Sequence, residues 1–274
     1  MVVHTLVFAG GGTRGLCYGK AYQELHQHEQ IDLQKVKGTS IGALMAVLLA
    51  AKYTAEELVD LCDTTKLEDM VRINLFDVFY RWGLDSGKRL YDWIDEKLYQ
   101  KTGKRHTTFS QLYDHSGIDL HVTSTNLCTA EACYMSNATH PIMPVAKACQ
   151  MSMSLPPLFA PVYWNGAYHI DGGVMDNFPF QGCEPLTTVG FRINWNNAFE
   201  LNSMEKYFSR VVYVALYRLS KVAMEHASEE WKERIIEVDG GDVATINMRI
   251  TAVVREALNE KAVEAVQRWV EKNE

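Results

Sequence analysis

Short, turn-bounded apolar runs recur along the chain at Thr5–Ala9, Ile118–Thr123, Val189–Ile193 and Ile235–Val238, and Leu33–Lys37 reads as an apparent second strand. Runs of this length, without polar alternation, predict strands buried on both faces. Between them, apolar residues repeat at helical intervals over Leu16–Gln27, Gly42–Lys52, Ala55–Cys62, Lys88–Tyr99, Pro144–Met153 and Ile250–Val270. Strands alternating with helices predict an α/β fold, a mainly parallel central sheet between two helical layers. Asn165-Gly166 between Val162–Trp164 and Ala167–Ile170 is the signature of a two-residue β-hairpin turn, which would deliver Asp171 to the end of a strand. No linker, low-complexity tract or repeat divides the chain, so residues 1–274 read as one domain.

Composition narrows the function classes. The 274 residues carry 27 Lys and Arg against 34 Asp and Glu, a net charge of −7, with no long basic run, which argues against nucleic-acid binding. The same balance gives no long-range attraction to anionic lipid, so contact with a membrane would be transient, local and apolar. The longest apolar run, Ala43–Ala51, is too short to span a bilayer, which needs about 20 residues. No secretory leader pattern opens the chain, and the six cysteines show neither paired nor metal-binding spacing. The expectation is a cytoplasmic protein with reduced thiols, no metal and no cofactor, peripheral at membranes if it meets them.

Two glycine-rich turns carry candidate chemistry. Gly10-Gly11-Gly12-Thr13-Arg14-Gly15 follows the first strand and opens a helix. Unpaired N–H groups at such a turn stabilise negative charge. Gly10, Gly12 and Gly15 also satisfy G-x-G-x-x-G, with Asp32 near the place of a ribose carboxylate, but Asp32 precedes the apparent second strand instead of ending it. After that strand comes Gly38-Thr39-Ser40-Ile41-Gly42, a G-x-S-x-G elbow between strand and helix. Ser40 at a helix start could merely cap it. As a nucleophile it would need a base. Asp171-Gly172-Gly173, a carboxylate with two glycines at a strand end, is the candidate that a motif supports, although Asp-Gly is also a turn signal. Of the nine histidines only His121, His140 and His169 remain as alternatives, and none carries a motif.

With these residues in place, the chain resembles the patatin-like phospholipases over Leu6 to Pro179. The glycine loop, the elbow and Asp171-Gly172-Gly173 look like that family's three motifs in its order, and Ser154–Val162 and Asp176-Asn177-Phe178-Pro179 resemble the flanking segments. Pro156-Pro157 stands where the family often has Pro-Gly. The resemblance implies a three-layer α/β/α fold and a Ser40–Asp171 dyad cleaving acyl esters of glycerolipids, phospholipase A or lysophospholipase in type, without a metal. It implies oxyanion donors from Gly10, Gly11, Gly12 and Ile41, and support from Arg14, Gly15, Gly38, Gly42, Gly172 and Gly173. The alternatives are a soluble carboxylesterase or neutral-lipid hydrolase with the same dyad, or a lipid-binding module without turnover. Oligomeric state is not legible. Ile73–Trp82 concentrates aromatic residues and reads as core or cap packing, with an interfacial segment as the alternative. The last helix should pack Val254, Ala257, Leu258, Val266 and Val270 onto the domain.

Overall fold

The computed structural model describes residues 2–73, 80–194, 204–241 and 250–273. Its strands are β1 (Val2–Phe8), β2 (Gln30–Thr39), β3 (Asp119–Asn126), β4 (Glu131–Met135), β5 (Val162–Trp164), β6 (Ala167–Asp171), β7 (Thr188–Asn194) and β8 (Ile235–Asp239). They form one sheet whose hydrogen-bonded path runs β5-β6-β3-β2-β1-β7-β8, with β4 also on β3. The pairs from β3 through β2, β1 and β7 to β8 are parallel. Those of β4 and β6 with β3, and of β5 with β6, are antiparallel. The helices are α1 (Tyr18–His28), α2 (Ile41–Ala50), α3 (Ala55–Thr64), α4 (Lys88–Thr102), α5 (Phe109–Ser116), α6 (Val145–Ser152), α7 (Met204–Glu225), α8 (Glu229–Glu233) and α9 (Ala252–Asn273).

Successive residues of a strand face opposite sides, and β1 shows what covers each. Leu6 and Phe8 enter a large cluster that takes in α1, α2, the inward sides of α3 to α6, and α9. Val7 joins a second cluster with Ala9, Phe178, Phe180, Ala227 and Trp231. Both faces are dry, which is why the parallel strands read as continuous apolar runs. Helix α2 is buried at every position, as expected of Ile-Gly-Ala-Leu-Met-Ala-Val-Leu-Leu-Ala. In α9 the buried apolar face is Leu258, Ala262, Ala265, Val266, Trp269 and Val270, with half-buried Val254 also packed on the core; Ala257 is exposed, correcting that part of the expected face.

The edge of β3 sets up the site. Strand β4 flanks one edge along Val122–Asn126. The other edge is therefore shared in succession, by β2 as far as Thr39 opposite Thr123, and then by β6 with Asp171 opposite Ser124. Where β2 leaves the sheet to become α2, β6 takes its place. Ser40 and Asp171, far apart in sequence, become neighbours.

Candidate active site

Ser40 stands between β2 and α2 with φ 55° and ψ −127°, a conformation that costs a β-carbon residue roughly 1–3 kcal/mol. Its side chain makes no capping bond to α2, so the helix-cap reading fails. Instead Ser40 Oγ donates to Asp171 Oδ2 at 2.6 Å. The tight turn needs bare backbone on both sides. A Cβ on Gly38 would strike the Gly42 carbonyl, one on Gly42 the carbonyls of Phe8 and Ala9, one on Gly15 the Ile41 side chain, and one on Gly172 the Thr123 carbonyl. Ser40 N–H donates to Ser152 Oγ at 2.8 Å, from the end of α6.

Asp171 is 2% exposed. Gly173 N–H donates to its Oδ1 at 2.8 Å. Its own N–H donates to the Ser154 carbonyl at 2.9 Å and its carbonyl accepts from Thr125 Oγ1 at 2.9 Å, so backbone and carboxylate are both held. Burial pushes its pKa up to about 6, partly offset by the bonds from Ser40 and Gly173. That is the range of a working base near neutral pH.

The histidines are placed elsewhere. His121 Nε2 pairs with Asp119 Oδ2 at 2.7 Å at the start of β3. His140 Nδ1 lies 2.9 Å from Thr139 Oγ1. His169, two residues before Asp171, is buried and bonded through Nδ1 to Ser124 Oγ at 3.0 Å. Burial, with His140 nearby, pushes the His169 imidazole pKa down. None of the three is bonded to Ser40 or to the Asp171 carboxylate.

The glycine loop lies against the elbow. Gly12 takes φ 59°, a left-handed conformation that suits glycine. Gly10 differs from expectation: its N–H donates to the Asn177 carbonyl at 3.0 Å and is not free to face an oxyanion. Arg14, 1% exposed, donates from Nε to the Gly11 carbonyl at 3.3 Å and so supports the loop from within the core. The rival dinucleotide reading fails on position. Asp32 lies inside β2, not before it, near the end that pairs with Val2 and Val3, away from the glycine loop.

Several contributors carry no signal in the sequence. Ser152 sits in a Met-Ser-Met-Ser stretch with no motif, Ser154 opens a flanking segment whose sequence implies no role for it, and Ser124 is visible only once the register is known. Asn177 lies within a flanking segment whose sequence alone implies no role for it. Of the aromatic segment, residues 74–79 lie outside the described residues. Ile73, Tyr80 and Trp82 are 63%, 80% and 62% exposed, which corrects the core reading for those three.

The sequence profile of patatin-like phospholipases matches residues 6–183. The chain belongs to that family. Patatin-like proteins are serine acyl hydrolases, and this one is a lipid hydrolase by family. Protein YqhO of Bacillus subtilis is 28% identical over 93% of this chain and 93% of its own length. A probable lipid hydrolase, 463L of invertebrate iridescent virus 6, is 27% identical over 64% of this patatin-like chain and 61% of its own. Among solved structures, VipD of Legionella pneumophila superposes with a TM-score of 0.69 at 20% identity, over 98% of this chain and 67% of its own, a likeness of fold.

Proposed function

We propose that this patatin-like protein hydrolyses acyl esters of glycerolipids, as a phospholipase A or lysophospholipase, through a Ser40–Asp171 dyad and a covalent acyl-enzyme. The observation that carries the reading is the 2.6 Å bond from Ser40 Oγ to a buried carboxylate whose pKa is raised. Asp171 takes the Ser40 proton as Oγ attacks the ester carbonyl. The N–H groups of Gly11, Gly12 and Ile41 receive the oxyanion, Ile41 with the positive end of α2 behind it. Asp171 returns the proton to the departing alcohol. It then deprotonates a water that attacks the acyl-enzyme, and the fatty acid leaves with Ser40 restored. Arg14, Gly15, Gly38, Gly42, Gly172 and Gly173 keep the three loops in place. Transient contact with a lipid surface is proposed for the exposed aromatic side chains around the β5–β6 hairpin.

Incubation with mixed phospholipids, followed by mass spectrometry, should yield free fatty acid and lysolipid with the wild-type chain and neither with Ser40→Ala. A fluorophosphonate probe should label the wild type at Ser40. Product formation by Ser40→Ala, or labelling that persists in it, would overturn the assignment.

A further inference from the structure

We infer that Asn177 is a positioning residue that aims the Gly11 N–H at the oxyanion, an inference that rests on the acyl-hydrolase reading above. A trans peptide is planar, and its C=O and N–H point in opposite directions. The Gly11 N–H shares its peptide with the Gly10 carbonyl, so whatever holds that carbonyl sets the direction of the donor. Asn177 Nδ2 donates to the Gly10 carbonyl at 3.2 Å, while Gly10 N–H donates to the Asn177 carbonyl at 3.0 Å. This reciprocal pair holds both peptides that flank Gly10, the Ala9–Gly10 peptide by its N–H and the Gly10–Gly11 peptide by its carbonyl. The Asn177 amide fills the space that a Cβ at Gly10 or Gly173 would need, so the carboxamide is close-packed between the glycine loop and the Asp171 loop. Asn177 is 7% exposed, and water competes little for these bonds.

The grip is itself anchored. The carbonyl of Asp176, the preceding residue, accepts from Thr39 Oγ1 at 2.9 Å, and Asp176 N–H donates to the Gly172 carbonyl at 2.9 Å. Phe178 N–H donates to Asp176 Oδ1 at 3.2 Å, closing the turn. Residues 176 and 177 thus join the residue before the nucleophile, the residue after the base, and the oxyanion loop. Arg14 acts in the same way one peptide later, because the Gly11 carbonyl it holds belongs to the peptide of the Gly12 N–H. Two successive donors are each set by a buried side chain on the opposite side of their peptide.

The test uses the full chain, p-nitrophenyl butyrate as a soluble ester, and a trifluoromethyl ketone whose adduct with Ser40 carries an oxyanion. Asn177→Ala removes the side-chain donor and leaves the backbone bond; Asn177→Leu keeps the branched shape without the donor. Turnover is counted per site titrated with fluorophosphonate, and folding is checked by melting temperature. Losing an oxyanion donor outright costs about 10²–10³, so a donor left misaimed should lower kcat about 10–100-fold. The expected KM stays within about threefold, and the ketone Ki rises in parallel with the loss in kcat. Wild-type kcat in a folded variant, or a loss of kcat with Ki unchanged, would overturn the inference. Failure of both variants to fold would replace positioning with a purely structural role. A wild-type chain that neither hydrolyses the ester nor takes the label would sink the hydrolase reading and this inference together, a result visible before any variant is made.

Discussion

A carboxylate sealed from water resists ionisation, and at Asp171 this couples catalysis to stability. Its pKa rises from 3.8 to about 6 on folding. Below about pH 4 the folded and unfolded chains both hold the proton, and the group costs the fold nothing. Between about pH 4 and 6 the unfolded chain has released its proton while the folded chain keeps it, so the native state loses stability as pH rises, and the loss levels off above 6 where both forms are ionised. A rise of that size corresponds to about 3 kcal/mol at most. Asp171→Asn should therefore melt higher than wild type at pH 8, with the advantage fading as pH falls from about 6 to about 4, while its turnover nearly vanishes. The kcat/KM of the wild type should rise with pH through about 6, since only the ionised carboxylate accepts the Ser40 proton. Equal melting temperatures at pH 8, or substantial turnover by the Asn variant, would contradict the role given to Asp171. His169→Ala should keep much of its activity, because His169 bonds to Ser124 and not to the dyad.

At the scale of elements, the elbow depends on how closely β1, β2 and α2 approach. A Cβ on Gly42 would enter the space of the Phe8 and Ala9 carbonyls at the end of β1. Backbone cannot yield there as a flexible side chain would, so Gly42→Ala should push α2 outward and destabilise the fold by about 1–3 kcal/mol. Because α2 carries the Ile41 N–H and orients Ser40, kcat should fall more than KM changes, as differential melting and steady-state kinetics would reveal. An unchanged kcat would mean that α2 moves freely of the nucleophile. The elbow was legible in the sequence because it is local: strand, Gly-Thr-Ser-Ile-Gly, apolar helix. The four apolar runs and the hairpin are legible for the same reason. Strand β4 and helices α5, α7 and α8 were not singled out. Glu131–Met135 is short and largely open to solvent on an edge, and α8 is a single turn capped by Ser228. What no local pattern could reveal is register. That Ser124 faces Asp171 just past the pairing of Thr123 with Thr39 depends on three strands from distant parts of the chain, and the contributions of Asn177 and Ser152 follow from it.

On the scale of the whole molecule, no helix among the described residues is long and apolar enough to cross a membrane, and the charge of −7 gives no pull toward anionic lipid. On the function proposed above, a lipid substrate is met through local apolar contact. Trp82, Tyr163 and Tyr168 form an exposed aromatic group, with Tyr168 5.0 Å from Tyr163 and 5.6 Å from Trp82 between ring centroids. Leu127, itself exposed, donates its N–H to the Tyr168 carbonyl at 2.8 Å. This group lies beyond the end of β2, on the side of the sheet where Ser40 turns, and Tyr168 is three residues from Asp171 on β6. Trp and Tyr favour the water–hydrocarbon boundary, where an apolar ring and a polar tip are both satisfied. Tyr163→Ser combined with Tyr168→Ser should lower hydrolysis of phosphatidylcholine vesicles roughly tenfold, a loss of about 1.4 kcal/mol of interfacial binding. Hydrolysis of p-nitrophenyl butyrate, which needs no surface, should stay within about twofold. Binding to these net-neutral vesicles should change little between low and high salt, since the contact is apolar and screening acts on charges. Equal losses on both substrates would assign the tyrosines to the packing of β6 behind Asp171. No loss on vesicles would remove the hairpin from the lipid contact, and strong salt dependence with a preference for anionic lipid would place that contact on a charged surface elsewhere.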